Sequence, residues 1–205
     1  MRERINYKSS SLRQLLSNPS VILSQKKVIT VIQLLHWFQT NYPHLKQALL
    51  ESHHNFDNSD TNPYHVEGDC WSHTMMVCKV AQLKGYDKVV QVSALLHDIG
   101  KPQSRKINPQ NNYVNFRGHE ELSAKMAKPL VADLVAREML TEVEADEVIE
   151  LIALHGEIYK DRVVVEERLK DKPTWLKHLL ELSECDDLGR FSLTRNLRIW
   201  TLNYQ

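Results

Sequence analysis

The stretch that most constrains how this chain can fold is SALLHDIGKP, residues 93–102. Val92, Ala94, Leu95 and Leu96 form the apolar end of a helix. An imidazole and a carboxylate, His97 and Asp98, then stand side by side where more core would be expected. Gly100, Lys101 and Pro102 follow at once. A fold that accepts this segment must bury a helix and give its polar end a partner, because unpaired buried polar groups are costly.

The rest of the chain reads as mostly helical. SLRQLLS is a short helix with Ser10 or Ser11 as cap, and SQKKVITVIQLLHWFQT, from about Ser24 to Thr40, places Val28, Val31, Leu34, Leu35 and Phe38 on one face. A further helix starts after Pro43. The segment HHNFDNSDTNPYHVEGD reads as a loop by composition. Helices are then expected from Cys70 to Lys84, stopped by Gly85, and from Tyr86 to His97, with Asp69 capping the first. RKINPQNNYVNFRG has a turn between short alternating runs and predicts a small β-hairpin. Helices resume over His119–Glu138, where Pro129 predicts a kink or break, and over Thr141–His155, where Thr141 and Glu144 make a capping box. A final helix has Pro173 in its first turn. In TEVEADEVIE, Val143, Val148 and Ile149 are expected on one side, with a solvated acidic face opposite. The fold expected is all-α with a minor hairpin, one domain over residues 1–205 with the first sixty residues as helical support.

Composition removes several function classes. Lys+Arg and Asp+Glu are 26 each, so no strong basic bias marks a nucleic-acid-binding surface, although a local patch would be compatible. The three cysteines, Cys70, Cys78 and Cys185, are spread without a CxxC pair and fit a reducing, cytoplasmic setting. No apolar run of eighteen residues and no apolar N-terminal region is visible, so neither a membrane span nor a signal peptide is expected.

The ten histidines divide into two groups. His36, His44, His53, His54 and His178 read as ordinary surface or satisfied core residues, and His65 as a loop histidine. His73, His97, His119 and His155 sit at or near the ends of apolar helices, in company with Asp98 and a late acid pair, Asp186–Asp187. Taken alone, each is as readily a core residue. Together, imidazoles and carboxylates suit Mn²⁺, Fe²⁺, Co²⁺, Ni²⁺ or Zn²⁺, with Mg²⁺ also possible. Four such ligands leave positions for water and a phosphate oxygen, and the ion lowers the pKa of the water. Lys101 is placed to meet a phosphate there or to be a solvated loop residue, with Gly100 freeing the backbone to turn and Pro102 stopping the helix. Arg117 and Arg190, each flanking a candidate ligand, are further phosphate candidates. Glu67 is a candidate for orienting a ligand or a water.

The words EGDCWSHTMMV, ALLHDIGKP, RGHEELSA and ECDDLGR, in this order between Asn62 and Arg190, resemble the HD superfamily of metal-dependent phosphohydrolases. They are similar to the HD domain attached to bacterial CCA-adding tRNA nucleotidyltransferases, to stand-alone phage and bacterial HD proteins, and to the HD module of some RNA-end-healing enzymes. The resemblance implies an HD-domain helical bundle. It assigns His73, His97, Asp98 and Asp186 as metal ligands, with Asp186 preferred to Asp187 because the family's ligand lies three residues before Gly189. His119 and His155 stand where a second ion's ligands would be, with Asp98 bridging; one ion or two both remain open. The substrates implied are nucleotides or RNA ends, as 2′,3′-cyclic phosphates or nucleoside monophosphates. Alternatives are a deoxynucleotide or 3′,5′-cyclic nucleotide hydrolase, or a catalytically silent metal- or nucleotide-binding module. No oligomeric state is implied.

Overall fold

The computed structural model describes residues 30–56 and 65–191. The short helix expected near Ser10, Val28 and the C-terminal tail lie outside the described residues. The elements are α1 (Val31–Asn41), α2 (Pro43–Glu51), α3 (Cys70–Lys84), α4 (Lys88–Leu96), a single turn α5 (Lys101–Ser104), β1 (Lys106–Ile107), β2 (Val114–Asn115), α6 (His119–Ala136), α7 (Glu142–Leu154), a 3₁₀ turn (Glu157–Tyr159), α8 (Arg162–Arg168) and α9 (Pro173–Leu188). The expected all-α architecture with one small hairpin is what forms. β1 and β2 pair antiparallel, Lys106 opposite Asn115 and Ile107 opposite Val114.

Helix α4 is the axis of the bundle. Val89, Val90, Val92, Ser93, Ala94, Leu95 and Leu96 are all buried, so it is apolar all round, as a helix enclosed by others must be. Helices α3, α7, α9 and α1 pack around it, and α6 packs along α7. One continuous apolar core runs from Val31 to Cys185 and includes α1, whose Phe38 stacks on Trp71 of α3 at 5.9 Å. The ends of the helices follow local chemistry. Asp69 accepts from the Ser72 N–H at 2.7 Å and starts α3, and Gly85, at φ 66°, ends it. Thr141 and Glu144 form the reciprocal capping box of α7, and Thr30 and Gln33 that of α1. Among the described residues no helix is long and apolar enough to cross a membrane.

Several expectations are corrected. Pro129 neither breaks nor ends α6, which runs unbroken to Ala136. Pro129 and Lys125, one turn before it, are both exposed, so the missing hydrogen bond lies on the solvated side of the helix. Pro102 is the second residue of the one-turn helix α5, where its fixed φ suits a first turn that needs no N–H. Gly100 has an ordinary φ of −85°, so no special turn requires it. It is needed for close approach: a Cβ there would lie 2.6 Å from the Ser123 backbone nitrogen and 2.9 Å from the His119 carbonyl. Val143 is exposed, two positions round the helix from Ala145, while Glu147 of the supposed solvated face is buried. Glu147 accepts from His178 Nδ1 at 2.7 Å.

Candidate metal centre

The free ends of three helices meet at one point. His97 follows the last residue of α4 and His155 the last residue of α7, while His119 is the first residue of α6. The last carbonyls of a helix have no intrahelical donor. His97 Nδ1 donates to the Ala94 carbonyl at 2.9 Å and His155 Nδ1 to the Ile152 carbonyl at 2.7 Å. His119 Nδ1 donates to the Phe116 carbonyl at 2.8 Å. Each ring is thereby fixed with its proton on Nδ1 and its lone pair on Nε2, turned inward.

Asp98 lies at the focus, 1% exposed. Its Oδ2 is 3.2 Å from His97 Nε2 and 3.7 Å from His73 Nε2, and its Oδ1 is 3.2 Å from His119 Nε2 and 3.8 Å from His155 Nε2. One carboxylate thus faces two groups of donors. The first group is His73, His97 and Asp186; the second is Asp98, His119 and His155. His73, from the first turn of α3, has Nε2 3.0 Å from Asp186 Oδ1. Its Nδ1 faces Glu67 Oε1 at 3.1 Å, so a carboxylate takes the part that a backbone carbonyl plays for the other three rings. Asp186 is held in turn by Arg190 at 2.8 Å, and Arg190 also reaches Asp187 at 3.0 Å. Asp186 faces the cluster, and Asp187 pairs with the guanidinium.

The donor set fits a divalent cation. His119 Nε2 and His155 Nε2 are 3.2 Å apart with both Nδ1 protons spent on carbonyls, so two lone pairs oppose each other. His97 Nε2 and Asp98 Oδ1 are buried without a hydrogen bond. A cation relieves both defects at once, because it accepts lone pairs from nitrogen and oxygen together.

Electrostatics agree with the geometry. Burial alone would raise the Asp98 carboxyl, but the adjacent His97 and the Lys101 ammonium hold it well below the ordinary carboxylate range. Asp186 is lowered likewise, against burial, by Arg190 and His73. Burial, and then His97 and His119, push His155 down to about 4, leaving a neutral imidazole. Lys101 is 7% exposed, so the solvated-loop reading does not hold for it. Its Nζ lies 2.6 Å from Asp98 Oδ2, and that carboxylate outweighs burial to keep the ammonium charged.

The other singled-out residues are placed as follows. Arg117 is exposed, two residues before His119. His36 and His44 are exposed and His178 is the buried partner of Glu147. His54, expected among the ordinary histidines, is buried against the cluster, with Nε2 3.3 Å from Lys101 Nζ. His65 stacks on it, ring centroids 4.1 Å apart, and donates from Nδ1 to Glu67 at 2.7 Å. No local sequence signal marks His54; the structure places it where its segment pairs with the start of α3.

The model of the HD domain family matches residues 70–179, which include His73, His97, Asp98, His119 and His155 and stop short of Asp186. The Multifunctional CCA protein of Burkholderia orbicola (strain MC0-3) is 29% identical over 139 residues, covering 63% of this chain and 32% of that protein. Its counterpart in Burkholderia cenocepacia (strain HI2424) is 32% identical over 142 residues with the same coverage. That of Polaromonas naphthalenivorans (strain CJ2) is 30% identical over 137 residues, 62% of this chain and 30% of that protein. The chain spans about a third of the length of the curated relatives it matches. No solved structure matches it.

Proposed function

The chain belongs to the HD domain family, and on that premise we propose that it is a metal-dependent hydrolase of phosphoesters on nucleotides or RNA ends. The observation that carries the reading is the convergence of four imidazole Nε2 atoms on Asp98 and Asp186, with a buried charged lysine at the same carboxylate. His73, His97, Asp98 and Asp186 would hold one divalent ion, and Asp98, His119 and His155 a second. When bound, the metal supplies Lewis acidity and lowers the pKa of water to near neutrality.

The chain's own residues provide the rest. Asp98 and Asp186 balance the cation charge, and the carbonyl-anchored rings of His97, His119 and His155 keep their lone pairs aimed without reorganisation. Lys101 offers an ammonium proton to a phosphate oxygen. Arg117, exposed beside the partly exposed His119, is a second phosphate contact at the mouth. Arg190, paired with two acids, holds Asp186 in place and contacts phosphate only if it releases Asp187.

Substrates bearing a 2′,3′-cyclic phosphate or a nucleoside monophosphate are the reading favoured by the resemblance of the local words to HD modules of RNA enzymes. The test is a hydrolysis panel of 2′,3′-cyclic AMP, 2′-, 3′- and 5′-AMP, 5′-dAMP, 3′,5′-cyclic AMP and dATP with Mg²⁺, Mn²⁺, Co²⁺ and Ni²⁺. Turnover of the cyclic ester or a monophosphate, lost on chelation and in Asp98→Ala, is the expected result. Preference for 3′,5′-cyclic AMP or a deoxynucleotide would replace the substrate assignment. No turnover with any of them would leave a silent metal- or nucleotide-binding module.

A further inference from the structure

Lys101 has a second partner that lies outside the ligand set. His54, in the segment after α2, is 1% exposed, and its Nε2 is 3.3 Å from Lys101 Nζ. Its Nδ1 is 3.3 Å from the Gly68 carbonyl. An ammonium only donates and a carbonyl only accepts. The two contacts together therefore require a neutral His54 ring with its proton on Nδ1 and its lone pair directed at the lysine.

His65 closes the other face of this ring, stacked at 5° and tied through Nδ1 to Glu67 at 2.7 Å. Phe116 meets the His54 ring at 5.5 Å and lies beneath the ammonium at 5.4 Å. A lysine side chain is flexible and presents a point charge with three protons. Here one proton is directed at Asp98 and one at His54.

His54, His65 and Glu67 also bring three donor atoms within 4.8 Å of one another, as a cation site would. The lysine ammonium already faces the His54 lone pair, and His65 Nδ1 is committed to Glu67. A divalent ion there would meet the like charge of the ammonium.

We propose that His54 is a positioning residue for Lys101: its Nε2 and the Asp98 carboxylate hold two ammonium protons, so that the third is presented to the substrate phosphate. His65 and Glu67 keep the His54 ring in that orientation. The proposal rests on the phosphohydrolase reading of the same site for what the third proton meets.

Two measurements on the full chain test it. Imidazole ¹⁵N–¹H correlation spectra should show His54 as the neutral Nδ1–H tautomer; an Nε2–H ring or an imidazolium overturns the contact whatever the protein hydrolyses. Inorganic phosphate is then titrated into the Mn²⁺-loaded protein. His54→Phe, which keeps an aromatic ring and loses the acceptor, should weaken phosphate binding about tenfold, the scale of one charge-assisted hydrogen bond. His54→Gln, whose side-chain carbonyl can accept from the lysine, should recover most of it, with Mn²⁺ affinity unchanged in both. In a Lys101→Met background His54→Phe should have no further effect. Additive losses, a failure of Gln to rescue, or a parent protein that binds no phosphate would each overturn the proposal. Phosphate binding with the expected coupling but no hydrolysis of any ester would overturn the phosphohydrolase reading and leave the positioning role standing.

Discussion

Two buried histidines in this molecule each face a glutamate through Nδ1, and they do different work. His178 on α9 donates to Glu147 of α7 at 2.7 Å, while His73 on α3 faces Glu67 at 3.1 Å. Both are held above the ordinary imidazole value. For His178 the Glu147 hydrogen bond does this against burial; for His73, burial lowers it and Asp186 and Glu67 more than reverse the effect. The difference lies at the other nitrogen. His73 Nε2 meets Asp186 and Asp98, with the ring of His97 5.4 Å away. His178 and Glu147 form a pair that joins two helices. Burial and a carboxylate partner therefore do not distinguish a ligand from a packed histidine. What the second nitrogen faces does.

The comparison breaks most sharply by substitution. His73→Gln should cost more than the about 100-fold in metal affinity or activity that losing an outer partner of a ligand can cost, because it removes a donor itself. His178→Gln should leave Mn²⁺ affinity and turnover within about twofold, since its distance-separated effect falls on stability. Isothermal titration with Mn²⁺ and initial-rate assays read both. Equal losses in the two variants would show that the histidines share one role. A smaller effect is expected from Glu67→Gln, which keeps the size of the side chain and removes the charge that supports His73. Mn²⁺ affinity should fall about 10–100-fold with the fold intact by circular dichroism. An unchanged affinity would reduce Glu67 to a structural tie between His65 and the Phe191 N–H, which it accepts at 3.1 Å.

The same contrast explains what could be read from the sequence. His97, His119 and His155 stand at helix ends, and helix ends leave marks: an apolar run that stops, a cap, a glycine or a proline. Those marks located α3, α7 and the hairpin and gathered the histidines into one group. Local rules reach less far for α8 and the 3₁₀ turn, which are short and take their stability from packing. They also misjudge Glu147 and His54. Each is given its role by a partner distant in sequence, 31 residues away for Glu147 and 47 for His54. A loop rich in Asn, Asp and His carries no period that says which of its histidines turns inward. Pro129 shows the opposite case: the break it allows does not occur, and it lies on the exposed side of α6.

The gentlest test concerns the stability of the His178–Glu147 pair. Because the Glu147 contact raises His178 above its unfolded value of about 6.5, the pair's contribution is fully present below that pH and declines as pH rises through the folded value. Glu147→Gln should lower unfolding stability by about 1–3 kcal/mol, the cost of weakening a buried hydrogen bond to a charged group. The gap between wild type and variant should be widest just below pH 6.5 and narrow as pH rises through the folded value, above which a neutral His178 still donates to the Glu147 carboxylate in the wild type and to the amide in the variant. Urea unfolding across that range measures it. A gap that stays constant with pH would mean that His178 is neutral throughout and that Glu147 acts only as an acceptor. A gap that widens with pH would contradict the raised value itself. Turnover should not follow this profile, and if it did, the separation between the packed pair and the metal-facing pair would fail.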